Sequence, residues 1–163
     1  MKFAAARVAV LLSIAAAGSA SAEVGDAFVE EVVAEGVKRP CSMALAPDGR
    51  VFVGEQYTGN IRVLKPESGT YRLVEKPVAC LQPIWDGHNE SGLVGLCVDP
   101  DFAKNGGVYV FATQSREVQR VWRYTVKGDV ADGAPALFID KIPTVGQNHD
   151  GGAILFGPDG HFF

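Results

Sequence analysis

Close to its C-terminus the chain reads GQNHDGGAILFGPDGHFF, which sets His149 between Asn148 and the run Asp150, Gly151, Gly152. A neutral imidazole accepts a proton at working pH, since its unperturbed pKa is about 6.5. An amide beside it can hydrogen-bond a hydroxyl or orient the ring. Two glycines let the backbone pass close to a flat ligand, because neither carries a Cβ. Removing a proton from a hydroxyl is therefore the chemistry open to such a loop. Taken alone, a loop histidine without a job is the commoner case, and Asn148 also suits a turn. A second polar cluster, PIWDGHNESGLVG, holds Asp86, His88 and Glu90. Zinc would require a third well-spaced partner, so no metal ligand is assigned there and solvated loop residues are the simpler account. Asn89, Glu90 and Ser91 also spell a glycosylation sequon, relevant only in a eukaryotic secretory pathway. Tyr57 and Trp85 are loop aromatics suited either to stacking on a ligand or to packing between elements. His161 follows a Pro-Asp-Gly turn and reads as surface.

The elements that must position these loops recur. SMALAPDGRVFVGE (42–55), GLCVDPDFAKNGGVYVFA (95–112) and AILFGPDGHFF (153–163) share an apolar strand, Pro-Asp, a short turn and a second apolar strand. The Pro-Asp pairs start at Pro47, Pro100 and Pro158, spacings of 53 and 58 residues. Repeats of this order with several strands each mark propeller blades. The first period reads as strands at Met43–Ala46, Val51–Glu55, Ile61–Leu64 and Tyr71–Glu75, and the second at Leu93–Val98, Val108–Thr113, Gln119–Val126 and Leu137–Ile139. Gly-containing turns separate them, helix signals are nearly absent, and only Phe28–Glu35 suits either state. The fold class is thus all-β, four-stranded antiparallel blades, with two blades and the start of a third. A ring needs about four to eight blades to close. The chain is accordingly expected to be the N-terminal part of a truncated propeller, the alternative being a small open β-sandwich.

The opening residues carry Lys2 and Arg7, an apolar run from Val8 to Ala17, and small residues ending at Ala20, Ser21 and Ala22. This is the pattern of a secretory signal peptide over residues 1–22, its apolar run shorter than the about 20 residues that span a bilayer. Residues 23–163 form the propeller part. Losing Lys2 and Arg7 moves the formal charge from −4 to −6, and no basic patch appears, which argues against nucleic acid as a partner. No later stretch has transmembrane length. Cys41, Cys80 and Cys97 make an odd count, open to one disulfide with a spare thiol or to three small buried residues.

Three segments resemble the soluble quinoprotein sugar dehydrogenases of the glucose/sorbosone dehydrogenase family. KRPCSMALAPDGRVFVGEQYTGNIRVL is similar to that family's opening blade, ESGLVGLCVDPDFAKNGGVYVFAT to its Gly-Leu-Leu-Gly, His-Pro-Asp-Phe, Asn-Gly stretch, and NHDGGAILFGPDGHFF to its His-x-x-Gly segment. Their order and spacing match from Val37 to Phe163. Two residues depart: Cys41 stands where Trp is usual, and Asp99 where the His of His-Pro-Asp-Phe is usual.

The resemblance implies a six-bladed propeller holding pyrroloquinoline quinone (PQQ) and calcium, which oxidises the anomeric hydroxyl of an aldose and passes electrons to an external acceptor. It implies a periplasmic or secreted enzyme. His149 matches the family's general base, Asn148 the Asp or Asn before it, and Glu90 lies nearest a polar position that faces the sugar in some relatives. Calcium ligands, a quinone-contacting arginine and most of the pocket belong to later blades, so no other cofactor residue is assigned and the chain alone is expected to be inactive. Two alternatives stand beside this one. The first is a non-catalytic extracellular propeller binding a protein or glycan, and the second a calcium-dependent sugar lactonase drawing on acids such as Glu55 and Glu90.

Overall fold

The structure, a computed structural model, describes residues 28–87, 90–144 and 150–163. Short β-branched and aromatic runs separated by turns give two antiparallel meanders. In the first, β1 (Pro40–Leu45), β2 (Val51–Glu55), β3 (Asn60–Glu67) and β4 (Thr70–Leu73) pair in chain order, and β5 (Ala79–Cys80) lies farther along the same edge of β3. In the second, β6 (Leu93–Val98), β7 (Gly107–Thr113), β8 (Val118–Lys127), β9 (Val130–Ala131) and β10 (Ala136–Pro143) repeat the plan, β9 and β10 sharing the edge of β8. The third unit begins as a ribbon closed by a Phe156–Phe162 bridge. Two blades and the start of a third are thus present, as the repeat indicates.

The outermost strand of each blade is broken, which the sequence patterning misses. Strand pairing is interrupted over residues 74–78 and 132–135, although the N–H groups of Val74, Val78 and Asp132 still reach the carbonyls of Val63, Ile61 and Thr125. Each break contains a proline, Pro77 or Pro135, which has no N–H to give to a ladder. Phe28–Glu35 is neither helix nor strand; Ala34 instead joins Val37 over Val53 and Leu64 on the outer face of the first blade.

Each Pro-Asp turn joins the first and second strands of its unit. Asp48 Oδ1 accepts the Arg50 N–H (3.1 Å), and Asp159 Oδ1 accepts the His161 N–H (3.1 Å). In the second unit Asp99 Oδ1 does this for the Asp101 N–H (2.9 Å), and its Oδ2 accepts the Tyr109 hydroxyl (3.0 Å). Aspartate at this departure from the family pattern therefore closes a turn. A single helical turn, α1 (Phe102–Asn105), fills the longer connection and drives Phe102 edge-on against Phe52 between the blades, ring centroids 5.6 Å apart.

Phe52, Ile61 and Val63 of the first blade pack on Leu93, Val108 and Val110 of the second in one buried cluster. At its lower rim Arg50 donates to the Gly128 carbonyl, and Lys65 Nζ meets Asp129 (3.0 Å). On the other face of the second blade, Tyr109, Phe111 and Val121 receive Ile154, Phe156 and Phe162 of the third unit. The inner strands touch most closely at Gly95: a Cβ there would lie 2.0 Å from the Gly152 carbonyl oxygen and 2.9 Å from Phe111 Cβ. Neither neighbour is the tip of a flexible side chain, so Gly95→Ala is expected to cost about 1–3 kcal/mol, the usual scale of overpacking. Denaturant titration should show a lower midpoint, and hydrogen exchange should show lost protection in residues 152–156.

Candidate functional site

The chain enters β6 at Ser91 and Gly92, and the third unit at Asp150 and Gly151, at the same end of the blades as the β2–β3 and β7–β8 turns. The backbone enters each inner strand through a positive φ: Arg39 (44°), Gly92 (104°) and Gly151 (73°). For glycine this costs nothing, whereas arginine is strained there. Arg39 is retained by the Gln56 N–H on its carbonyl (3.1 Å) and by stacking on Tyr57, 4.2 Å from guanidinium to ring centroid.

The residue just before the turned one is gripped by a glutamine of the preceding blade. Gln56 Nε2 donates to the Ser91 carbonyl (2.8 Å), and Gln119 Nε2 donates to the Asp150 carbonyl. Ser91 and Gln119 are buried, as is Asp150 at 7% exposure. Thr113 Oγ1 adds a hydrogen bond to Asp150 Oδ2 (3.1 Å). Glu90 precedes Ser91 in the chain as His149 precedes Asp150.

Among the residues singled out from sequence, His149 and Asn148 lie outside the described residues, as does His88. Glu90 and Asp86 are exposed on the connection before β6. That connection is fastened by the Trp85 N–H to the Thr113 carbonyl (3.0 Å), by Gln114 Nε2 to the Pro83 carbonyl (3.3 Å) and by Gln82 Nε2 to the Thr58 carbonyl (2.8 Å). Trp85 and Tyr57 are half-buried, consistent with packing as well as with contact to a ligand. His161 is exposed beside Asp159 (3.0 Å), a surface residue as expected. Cys41, Cys80 and Cys97 are all free; burial, with Asp99 nearby, pushes the Cys97 thiol up to about 12, so it stays protonated.

Glu55 is fully buried and saturated with donors. Its carboxylate accepts the Lys38 N–H (3.0 Å), the Thr58 hydroxyl (2.6 Å), Asn60 Nδ2 (2.9 Å) and Arg62 Nη1 (3.3 Å). Burial works against its ionisation, but these four donors outweigh it and hold the group below the usual carboxylate range. Its oxygens are committed to fastening the blade, so it is a poor metal ligand for a lactonase.

Calcium requires about six to eight oxygen ligands. Among the described residues no three His, Cys, Asp or Glu side chains converge, and Glu55 and Asp150 are engaged with protein donors, so these residues do not build a calcium site. Gly151 is exposed, and where its Cβ would stand no heavy atom lies within 4 Å, so the backbone there is open to solvent. Asp150 and Gln119 were missed from sequence. The available signal was a carboxylate directly after the histidine in a segment that must pack on the preceding blade.

Four-stranded meanders packed face to face, with polar loops gathered before the inner strands, define the chain as part of a β-propeller. The Glucose / Sorbosone dehydrogenase family model matches residues 37–163, and the chain belongs to that family. It is 30% identical over 153 residues to mouse (Mus musculus) Hedgehog-interacting protein, covering 83% of this chain and 21% of the relative. It is 24% identical over 143 residues to quinoprotein glucose dehydrogenase B of Acinetobacter calcoaceticus, covering 81% of this chain and 29% of that protein. The solved PQQ-bound aldose sugar dehydrogenase of Streptomyces coelicolor superposes with a TM-score of 0.67 at 27% identity, over 80% of this chain and 38% of that one. The chain thus spans well under half of the relatives it matches. It is related to PQQ-dependent sugar dehydrogenases, an oxidoreductase family. No helix among the described residues is long and apolar enough to cross a membrane.

Glu55 yields a test of how the first blade is held. Its folded pKa is depressed, so its contribution is present above the unfolded value and is lost as pH falls through the folded one. Glu55→Gln should therefore lower stability by about 1–3 kcal/mol at neutral pH. The gap to the unaltered chain should narrow as pH falls through the depressed folded value and the wild-type carboxyl is protonated too. Denaturant midpoints across that range measure it.

Proposed function

We propose that the full-length protein containing this chain is an exported quinoprotein oxidoreductase that oxidises the anomeric hydroxyl of an aldose, with His149 as general base. Residues 1–22 direct it to the periplasm or the exterior, and an external acceptor takes the electrons onward. PQQ, when bound with calcium held by residues beyond this chain, supplies the two-electron acceptor. His149 takes the hydroxyl proton at its unprotonated ring nitrogen as hydride departs from C1, so the sugar loses two electrons and two hydrogens and becomes a lactone. Asn148, next to His149 in sequence, and Glu90, exposed on the connection before β6, hydrogen-bond the remaining sugar hydroxyls. The observation that carries this reading is the loop 150–152, where a buried Asp150 and a Cβ-free, open Gly151 follow the histidine directly. The likeness to a PQQ-bound sugar dehydrogenase supports it.

A second reading is a non-catalytic extracellular propeller that binds a protein, favoured by the 30% identity to Hedgehog-interacting protein. Reconstitution separates the two. Full-length protein supplied with PQQ and calcium should bleach an artificial electron acceptor when given an aldose, and no aldose-dependent reduction would leave the binding protein. His149→Ala or His149→Gln should then lower turnover by about 100-fold or more with a much smaller change in quinone affinity. The wild-type rate should rise with pH through an ionisation at about 6.5, because only the neutral ring accepts a proton. Near-normal turnover with a raised KM would make His149 a binding residue.

A further inference from the structure

We propose that Asp150 is the positioning residue for the candidate base: the buried Thr113–Asp150–Gln119 cluster fixes the backbone to which His149 is joined in sequence. The inference rests on the reading of His149 given above. Thr113 and Gln119 are paired positions on β7 and β8, at 0% and 3% exposure. From there they grip one residue at both ends, Thr113 Oγ1 on the carboxylate and Gln119 Nε2 on the main-chain carbonyl. Gln119 Nε2 also lies 3.5 Å from Thr113 Oγ1, which closes the triangle. Burying a carboxylate is costly unless it is hydrogen-bonded, so a side chain retained here is one whose bonds hold something in place.

The backbone on the far side is equally constrained. Gly151 (φ 73°) turns the chain, and at Gly152 (φ 143°) a Cβ would lie 2.6 Å from the Val94 carbonyl oxygen, so the strand is pressed onto β6 directly after the turn. At the preceding blade the amide clasp on Ser91 serves the same geometry; the third unit adds a carboxylate hydrogen bond to it. His149 is one peptide bond from this anchor. A general base must stand within hydrogen-bond reach of its proton, and a misplacement of about 1 Å can cost about 100-fold in rate.

The test uses full-length protein reconstituted with PQQ and calcium. Asp150→Ala should lower kcat by about 10–100-fold with the aldose KM changed by less than about 3-fold. Asp150→Asn keeps an oxygen that accepts the Thr113 hydroxyl and should restore kcat to within about 3-fold of wild type. Thr113→Val, which removes the hydroxyl that donates to Asp150 and accepts from Gln119, guards against a general folding defect in Asp150→Ala and should lower kcat by about 3–10-fold. Hydrogen exchange should show Asp150→Ala deprotecting residues 150–156 while β6 to β8 keep their protection. Unchanged kcat in Asp150→Ala, an Asn variant as impaired as the Ala variant, or unchanged exchange at 150–156 each overturns the proposal. If the wild type oxidises no aldose, the functional reading falls, and the exchange comparison then decides by itself whether Asp150 anchors the loop.

Discussion

Everything at the loop end of the blades depends on how the chain is delivered into each inner strand. The backbone must rise out of a loop, reverse direction at a positive φ and drop into a strand pressed against its neighbours, leaving a carbonyl buried at the bend. Water cannot satisfy a carbonyl there, so an amide side chain of the preceding blade does so, Gln56 for Ser91 and Gln119 for Asp150. A hydrogen bond of this kind contributes only about 0.5–1.5 kcal/mol net, but leaving the acceptor unmade costs about 1–3. The clasp thus works mainly by excluding other loop paths. Its consequence is that Ser91 and Asp150 are held by the strands of the preceding blade rather than by their own loops.

Blade-to-blade packing makes that delivery possible. Phe52, Ile61 and Val63 pack with Leu93, Val108 and Val110 in one buried apolar cluster, and Gln56 is held opposite Ser91. The electrostatic contacts lie at the rim. Arg50 is only 14% exposed and tied to Asp48, Asp129 and the Gly128 carbonyl, which places a charge-assisted seam at the end of the blades opposite the loops. One end is thereby locked by charge and the other by amide clasps, with apolar contact between.

Period-2 alternation and the recurring Pro-Asp turns made the blades legible, because each inner and second strand is a short apolar run bounded by turn residues. The fourth strands were harder. Pro77 and Pro135 break them, and an apolar pattern with a gap does not show that both halves lie on one edge. Glu55 was legible as an acid but not as a structural one, since its four donors come from Lys38, Thr58, Asn60 and Arg62, whose convergence exists only after folding. Asp150 was overlooked for the same reason. Its partners are 31 and 37 residues away, on two strands whose register sets them side by side.

The same scaffold suits both a sugar dehydrogenase and a binding protein such as Hedgehog-interacting protein, and the described residues explain why. Positions that must be a particular type for folding, Gly95, Glu55, Gln56 and Asp99, lie in strands and turns and are filled by contacts within the blades. Glu90 stands on the rim with its side chain exposed, where its type is not set by packing. A fold organised in this way separates stability from chemistry, since the clasp grips main-chain carbonyls and is indifferent to which side chain the preceding residue bears. Asp150 is gripped by its side chain as well. The carboxylate hydrogen bond beside the amide clasp fixes Asp150 at two points, its side chain and its main-chain carbonyl. Precision of that kind has value where a proton must be taken at a fixed point, and little where a broad surface meets a protein partner.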